Sequence, residues 1–275
     1  MLRLGRHISV SGGLDLAFGR AEAIGCTAMQ IFVSNPRSWS MHEIDPAEVS
    51  KFTGRYEKSS VMDVIAHMPY LPNLSTSDKT IREKSISSLK ANLERCEALG
   101  IEDIVTHMGS HMGMGVDKAL ENISSALEEV EDVAPELRIL LENEAGHSNS
   151  VGADLTEMKI VYDNVKSKRL GFCLDTCHLF AAGYDITDTS ALNRIDKEVG
   201  FENVHAVHLN DAKMELGSHR DRHDNIGMGH IGLGGFAKFL SFGELKSKIL
   251  ILETAPNDRI SEGEEIAAVR NLKIA

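Results

Sequence analysis

Short apolar runs alternate with longer amphipathic segments along the whole chain, and this alternation constrains the fold more than any other feature. The apolar runs have the length of buried strands, and the segments between them have the periodicity and end residues of helices. The runs predict strands near Leu4–Val10, Ala28–Val33, Val61–His67, Asp103–His107, Arg138–Glu142, Leu170–Asp175, Val204–His208 and Ile249–Glu253. The segments predict helices at Leu14–Ile24, Asp45–Tyr56, Ser77–Leu99, Val116–Val130, Asp154–Asn164, Asp188–Val199, Phe236–Phe242 and Gly263–Arg270.

Eight strands that are each followed by a helix, without a Pro- or Ser-rich linker, predict an α/β protein in which residues 1–275 form a single (β/α)8 TIM barrel. The alternative is an open, doubly wound sheet, which binds dinucleotides through a glycine-rich loop after its first strand. Gly12 and Gly13 follow the first strand here, but they lack the G-x-G-x-x-G continuation of such a loop. The closed barrel is therefore the preferred architecture.

The composition excludes several classes of protein. No run approaches the roughly 20 apolar residues needed to span a bilayer, and the N-terminus lacks the apolar region of a secretion signal. Four cysteines without a CxxC pair are typical of reduced thiols in a cytoplasmic protein. A formal charge of -12 argues against a nucleic-acid coat protein, which is normally basic. It does not exclude a metal-containing enzyme that acts on nucleic acid, because bound cations change the local charge.

Polar residues with metal-binding side chains close six consecutive predicted strands, at spacings between 33 and 45 residues. They are His67, His107, Glu142, Asp175, His208 and Glu253. In a barrel, the ends of the strands converge on the rim where active sites lie. Taken singly, a histidine at a strand end is usually a hydrogen-bonded rim residue, and an aspartate there is commonly a helix cap. Six such residues at equivalent positions of successive strand–helix units indicate a shared metal site instead.

Three further side chains extend this set. Asp221 and His223 have the D-x-H spacing that lets both side chains of an extended segment reach one ion, and His178 follows Asp175 by three residues. Five histidines and four carboxylates favour zinc over magnesium, which prefers an all-oxygen shell. Nine ligands are too many for one or two zinc ions, so three ions are predicted.

Three other residues lie near these positions without belonging to the predicted ligand set. His7 ends the first strand, and its place in the pocket stays open. Cys173 is interpreted as a core residue, and neither it nor Cys177 is favoured as a ligand.

The chain resembles the endonuclease IV family of apurinic/apyrimidinic (AP) endonucleases. The matching segments run in order through nearly its whole length. They are residues 7–9 with Gly12-Gly13, 35–39, 67–71, 141–143, 145–146, 174–178, 183–185, 208–213, 221–223 and 252–254, of which DTCH, HLNDAK and DRH are the most specific. The chain departs from the family pattern at Met108, where proline is usual, and at Glu144 and His147, which replace smaller or uncharged residues.

The resemblance implies a barrel that binds three zinc ions in three groups. The first group would be His67, His107 and Glu142; the second Glu142, Asp175, His208 and Glu253; the third His178, Asp221 and His223. Glu142 would bridge two ions, and Glu142 and Glu253 would carry catalysis. Arg37, Tyr70 and Leu71 match the family residues that enter the duplex at the damaged position; without the resemblance they would be interpreted as ordinary loop and surface residues.

The implied activity is DNA repair by hydrolysis of the phosphodiester 5′ to an abasic site, with trimming of 3′ ends as a second activity. The expected partner is damaged duplex DNA, with no membrane association, and the expected state is a monomer in the cytoplasm that meets its substrate at the nucleoid. Two other functions stay open: a sugar isomerase or epimerase with two metals on a similar barrel, and a DNA-damage binder that retains the metals without cutting. Manganese at one of the sites is a further alternative.

Overall fold

Eight parallel strands pair edge to edge until the first meets the last. The computed structural model describes residues 2–40, 43–255 and 258–274, and within them the barrel has the order β1-β10-β7-β6-β5-β4-β3-β2. The barrel strands are β1 (Arg3–His7), β2 (Ala28–Ile31), β3 (Asp63–His67), β4 (Asp103–His107), β5 (Arg138–Glu142), β6 (Leu170–Asp175), β7 (Val204–His208) and β10 (Ile249–Leu252). Closure of the sheet confirms the predicted TIM barrel and rules out the open sheet.

Helices fill the intervals between these strands. They are α1 (Leu16–Ala23), α2 (Pro46–Tyr56), α3 (Lys79–Leu99), α4 (Val116–Glu128), α5 (Leu155–Val165), α6 (Thr176–Ala182), α7 (Thr189–Val199), α8 (Gly232–Leu240) and α9 (Glu262–Arg270). Several predicted bounds differ from these: β1 ends at His7 rather than Val10, β3 begins at Asp63 rather than Val61, and α8 begins four residues before Phe236, while α6 was not predicted.

The early start of α8 has a local cause. Its first residues are glycines, which are poor helix formers. The buried carboxylate of Asp211 accepts hydrogen bonds from the backbone N–H groups of Ile231 (3.0 Å) and Gly232 (3.2 Å), which have no partners inside the helix. The same carboxylate accepts from Gly227 at 2.9 Å, so it ties the loop before α8 to the barrel rim.

That loop begins with a small hairpin outside the barrel. Strands β8 (Asp211–Ala212) and β9 (His223–Asp224) pair antiparallel, and the N–H of Lys213 donates to the carbonyl of Arg222 at 2.9 Å. Residues 213–222 therefore leave and rejoin the rim at neighbouring points.

The barrel interior is an apolar layer directly beneath the strand ends. Because side chains alternate along a strand, the residue two positions before each rim residue points to the same interior. These residues form one buried cluster, separate from the larger core between barrel and helices. The pairs of interior and rim residue are Ile65 and His67, Val105 and His107, Leu140 and Glu142, Cys173 and Asp175, Ala206 and His208, and Ile251 and Glu253.

The opposite end of the barrel is closed by ion pairs. Arg3 contacts Asp63 through Nε at 2.9 Å, and Arg138 holds Asp103 with two bonds of 2.6 and 2.9 Å. In the part of the chain that the structure describes, no helix is long and apolar enough to cross a membrane.

Candidate metal centre

The nine side chains with the predicted ligand spacing meet at the carboxyl end of the barrel, and seven of them line a cleft of about 240 Å³. Six stand at or directly after the ends of β3 to β7 and β10, Asp221 and His223 come from the hairpin, and His178 lies in the first turn of α6. Register brings neighbours together, since His107 pairs with Glu142 across β4 and β5, and Asp175 with His208 across β6 and β7.

Glu142 lies between two groups of potential ligands. Its Oε2 atom is 3.1 Å from His67 Nε2 and 3.5 Å from His107 Nδ1, whereas its Oε1 atom is 2.7 Å from His208 Nδ1. The carboxylate is 1% exposed. One oxygen thus faces the first group and the other faces the second, which is the arrangement a bridging ligand requires.

The second group continues from Glu142 across the barrel. Potential ligand atoms of Glu142, Asp175, His208 and Glu253 all lie within 4.8 Å of one another, and His208 Nδ1 is 3.1 Å from Glu253 Oε2. Asp175 is also the N-cap of α6, because its Oδ1 atom accepts from the N–H of His178 at 2.8 Å. The helix-cap interpretation and the ligand interpretation of this residue are therefore compatible.

The third group combines α6 and the hairpin. Asp221 Oδ1 lies 3.4 Å from His178 Nε2 and 3.1 Å from His223 Nε2. His223 Nε2 is also 3.5 Å from Asp175 Oδ2, so the third group adjoins the second. Its histidines are buried or half-buried, whereas Asp221 is half exposed and faces the open side of the cleft.

Burial and charge act in opposite directions on these groups. Burial alone would raise the pKa of Glu142, but the neighbouring His107 and His208 hold that pKa well below its ordinary value. Burial lowers the pKa of His107, and the carboxylates of Glu142 and Glu144 outweigh it, raising the pKa to about 9. Burial likewise opposes protonation of His178, yet Asp175 and Asp221 raise its pKa well above the ordinary value. These pKa shifts favour an ionised Glu142 beside protonated His107 and His178.

A divalent cation fits this set of groups. The ring atoms His107 Nδ1 and His223 Nε2 are buried and make no hydrogen bond with any described residue, although both lie close to carboxylate oxygens. Imidazole nitrogens and carboxylates at these separations match the ligands that zinc takes in proteins. A cation could replace the protons that now balance the buried carboxylates, and the three groups could hold metal ions.

Three buried amides orient the candidate ligands, and none of them had a role assigned from the sequence. Asn210 donates to Asp175 Oδ2 at 2.7 Å and accepts from the N–H of Glu253 at 2.8 Å. Asn143 accepts from the N–H of Asp175 at 2.7 Å, and Gln30 contacts the opposite side of the second group. A polar residue inside an apolar strand, as Gln30 is in β2, was the available signal.

The three residues expected to contact DNA lie on adjacent rim loops. The N–H of Tyr70 donates to the carbonyl of Pro36 at 3.1 Å, which joins the loop after β3 to the loop that carries Arg37. Tyr70 is 60% exposed and Leu71 39%, and Tyr70 stacks edge-on against Phe32 in the cleft wall. Two apolar side chains thus project beside the cleft, with Arg37 exposed next to them.

The residues left open or singled out by sequence take distinct places. His7 lines the cleft. Cys173 is buried in the barrel interior, as interpreted from sequence. Cys177 lies within reach of Asp175 and His223, but burial raises its thiol pKa, which favours the unreactive thiol over the metal-binding thiolate.

The departures from the family pattern lie behind or beside the first group. Met108 is buried, and a Cβ atom at Gly152 would meet its sulfur at 2.8 Å, so the unusual methionine is matched by a glycine in the next loop. Glu144 is buried, with Oε1 2.9 Å from His107 Nδ1, whereas His147 is exposed. Neither Met108 nor His147 belongs to the ligand groups.

Comparisons with known proteins agree with the barrel and point to one group of enzymes. A model of the xylose isomerase-like TIM barrel family matches residues 18–271. A protein named "Probable endonuclease 4" from Methanoculleus marisnigri is 40% identical over 279 residues, which cover 99% of this chain and 99% of that protein.

Solved structures extend the comparison. Endonuclease IV from Thermus thermophilus superimposes with a TM-score of 0.86 at 36% identity, covering 98% of this chain and 97% of that one. The 3-keto-D-glucoside 4-epimerase of E. coli has a TM-score of 0.76 at 14% identity, covering 98% of this chain and 99% of that one. The likeness to the epimerase concerns the fold alone.

Proposed function

The chain belongs to the endonuclease IV family of AP endonucleases and is a DNA-cleaving hydrolase, and from this premise we propose that it is a zinc-dependent DNA-repair enzyme. It hydrolyses the phosphodiester 5′ to an abasic nucleotide in duplex DNA and leaves a 3′-hydroxyl. The same bond is broken when a blocking group is trimmed from a 3′ end, and we include that activity in the proposal.

The shared position of Glu142 carries the proposal. Its two oxygens face different groups of histidines, 3.1 Å from His67 and 2.7 Å from His208, and Glu142 itself is 1% exposed. A carboxylate shared in this way suits a pair of ions at one phosphate, which is how two-metal sites support in-line displacement. The third group beside it provides ligands for a third ion.

The nine side chains would bind the three zinc ions in three groups. His67, His107 and Glu142 would hold the first zinc ion; Glu142, Asp175, His208 and Glu253 the second; His178, Asp221 and His223 the third. When bound, zinc lowers the pKa of water and offsets the negative charge that develops on phosphate oxygens. Glu142 and Glu253 would contribute to catalysis by holding the zinc ions at fixed positions. Asn210 and Gln30 would orient the second group.

Substrate choice would depend on the exposed rim. An abasic nucleotide lacks a stacked base, so moving it out of the duplex requires less free energy than moving a paired one. Arg37, Tyr70 and Leu71 would fill the gap in the base stack, as wedge residues do in other DNA-binding proteins. Their exposure beside the cleft supports these roles. Because all nine metal-binding groups belong to one chain, a monomer suffices for the reaction.

The decisive experiment combines metal quantification with a nicking assay. Purified protein is expected to contain three zinc ions per chain and to cut a duplex with one abasic site on its 5′ side, while an otherwise identical intact duplex stays uncut. Manganese in place of one zinc would revise the metal assignment alone. Full activity without metal, binding without a nick, or conversion of keto and aldose sugars would each contradict the proposal.

A further inference from the structure

Gln30 is a fully buried amide that contacts three side chains around the second ligand group. Its Nε2 atom lies 2.7 Å from Glu253 Oε1 and 3.0 Å from His7 Nδ1, and its Oε1 atom lies 2.8 Å from His208 Nε2. Both amide hydrogens and the carbonyl oxygen therefore have partners. His7 and Glu253, which line the cleft, and the fully buried His208 thus meet at this one side chain.

Only one orientation of the amide fits these contacts. The reversed orientation would place the carbonyl oxygen 2.7 Å from a carboxylate oxygen of Glu253, and two acceptors would then face each other. With the amide nitrogen toward Glu253, the carbonyl oxygen must accept a hydrogen bond that His208 Nε2–H donates. The other ring nitrogen, Nδ1, is then the one that faces Glu142 and Glu253, at 2.7 and 3.1 Å.

The same amide determines which nitrogen of His7 carries its proton. An amide N–H points at His7 Nδ1, so that atom must accept, and the proton lies on Nε2. The alternative, a bond from Nδ1–H to Glu253, would span a longer distance of 3.5 Å. His7 Nε2 is buried and makes no hydrogen bond with any residue that the structure describes. The ring lines the cleft, packed against Phe32 with a centroid separation of 4.3 Å.

We propose that Gln30 is a positioning residue for this half of the site: it presents His208 Nδ1 for metal binding and leaves His7 with an Nε2–H donor for an oxygen of the bound substrate. The first part concerns the chain alone. The second part rests on the proposed function, because it names the abasic nucleotide and its phosphate as the source of that oxygen. A donor with no protein partner in the wall of a cleft is unfavourable until an acceptor arrives, which favours a substrate contact at this position.

The first experiment measures zinc affinity by competition with a chelator. Gln30→Leu keeps a similar side-chain volume but makes none of the three hydrogen bonds. Zinc binding at the second ligand group is therefore expected to weaken by about 10–100-fold, the usual effect of losing a residue that orients a metal ligand. Asn92→Leu is the matched control, because Asn92 is a buried amide in α3 whose partners are Ser34 and Ser88. Wild-type affinity in Gln30→Leu, or an equal loss in Asn92→Leu, would overturn the positioning role.

The second experiment locates the proton by two-bond ¹H–¹⁵N correlation spectra of the zinc-loaded protein. We expect His7 to be protonated on Nε2 in the wild type, and His7 protonated on Nδ1 would overturn the assignment. His7→Phe should keep its zinc and lose about tenfold in affinity for a duplex with a tetrahydrofuran abasic analogue. His7→Gln, which carries a nitrogen donor at similar reach, should recover part of it.

These readouts separate the two proposals. Unchanged affinity in His7→Phe would exclude the substrate contact. Failure of the wild type to bind the analogue would overturn the proposed function, and with it the substrate contact, while zinc affinity and the spectra would still decide the role of Gln30.

Discussion

The two ends of the barrel both gather buried carboxylates, but they balance the charge differently. At the amino end, Asp103 has a guanidinium of its own, held by two bonds to Arg138, and Asp63 is paired with Arg3 in the same way. At the carboxyl end, Glu142 is surrounded by histidines, whose protons are exchangeable. Arginine stays charged at any pH that proteins tolerate, whereas histidine does not.

This difference gives the two ends of the barrel different roles: the amino end stabilises the fold, and the carboxyl end can bind ligands. A guanidinium fork satisfies its carboxylate permanently, so the paired carboxylates at the amino end contribute to stability and are not available to a ligand. Imidazoles neutralise a carboxylate only while they are protonated, so the carboxyl end can exchange its protons for metal ions. Buried acidic groups thus serve two purposes, according to the cation beside them.

The largest effect should come from Glu142. Glu142→Ala removes the carboxylate that faces two groups, so we expect loss of bound metal and a fall in nicking rate on the order of a thousandfold or more. Metal content and single-turnover nicking measure the two effects. Near-normal turnover with full metal occupancy would contradict the role in metal binding and catalysis that is proposed for the carboxyl end of the barrel.

Changing the pH should affect the carboxyl end alone. Metal must displace the proton that His107 holds up to a pKa of about 9, so apparent zinc affinity should fall by up to about tenfold per displaced proton for each pH unit below 9. Calorimetry in buffers of different ionisation enthalpy would count the protons released. Zinc affinity that is constant from pH 6 to 9 would contradict the expected exchange.

The metal-free protein should show the reverse trend in stability. The raised pKa of His107 stabilises the fold fully below its unfolded value near 6.5, and that contribution is lost as pH rises toward about 9. We therefore expect the Tm of metal-free protein to fall across this window, while zinc-loaded protein changes less. If the Tm of the metal-free form rises over the same pH window, the expected direction of the pH effect on stability is wrong.

At the amino end the expected effect is on stability only. Arg138→Met leaves the carboxylate of Asp103 buried without its partner and should lower the free energy of unfolding by about 1–3 kcal/mol, a figure reduced because the arginine is partly exposed. Arg138→Lys, which keeps a charge but not the fork, should lose less. Urea unfolding measures both variants, and loss of zinc from either would show that the two ends are coupled.

The smallest effect should come from the rim. Tyr70→Ala removes an exposed side chain that is proposed to enter the base stack, so affinity for abasic duplex should fall about tenfold, as expected for a lost stacking contact. Zinc content should stay at the wild-type level, since Tyr70 is not among the ligand groups. Fluorescence anisotropy with abasic and intact duplexes gives the affinity, and zinc loss in this variant would mean that its role is misplaced.

The barrel and the convergence of the rim residues could be predicted because both follow from periodicity. Strand alternation places each rim side chain above an interior residue two positions earlier, as His67 stands above Ile65. Spacing along the chain then fixes which ends meet. The end of a strand can be recognised from the residues around it, so a single sequence is enough to locate it.

The orienting amides could not be predicted, because their partners are remote in sequence. Gln30 stands two residues after the interior Ala28, so a polar rim position could be recognised, but its partners His208 and Glu253 lie 178 and 223 residues away. Helix α6 was missed because it starts directly at the strand end, where Asp175 supplies the cap without an intervening loop. The start of α8 depends on Asp211, a contact that only the folded chain makes.

The pairing of β8 with β9 has an evolutionary consequence. The excursion of residues 213–222 is held at its base by this pairing and nearer its tip by the N–H groups of Gly217 and His219, which donate to carbonyls of α6 at 3.0 Å. Because the same excursion carries Asp221, which lies 3.4 Å from His178 Nε2, the changes of its length that are retained should be those that keep both attachments.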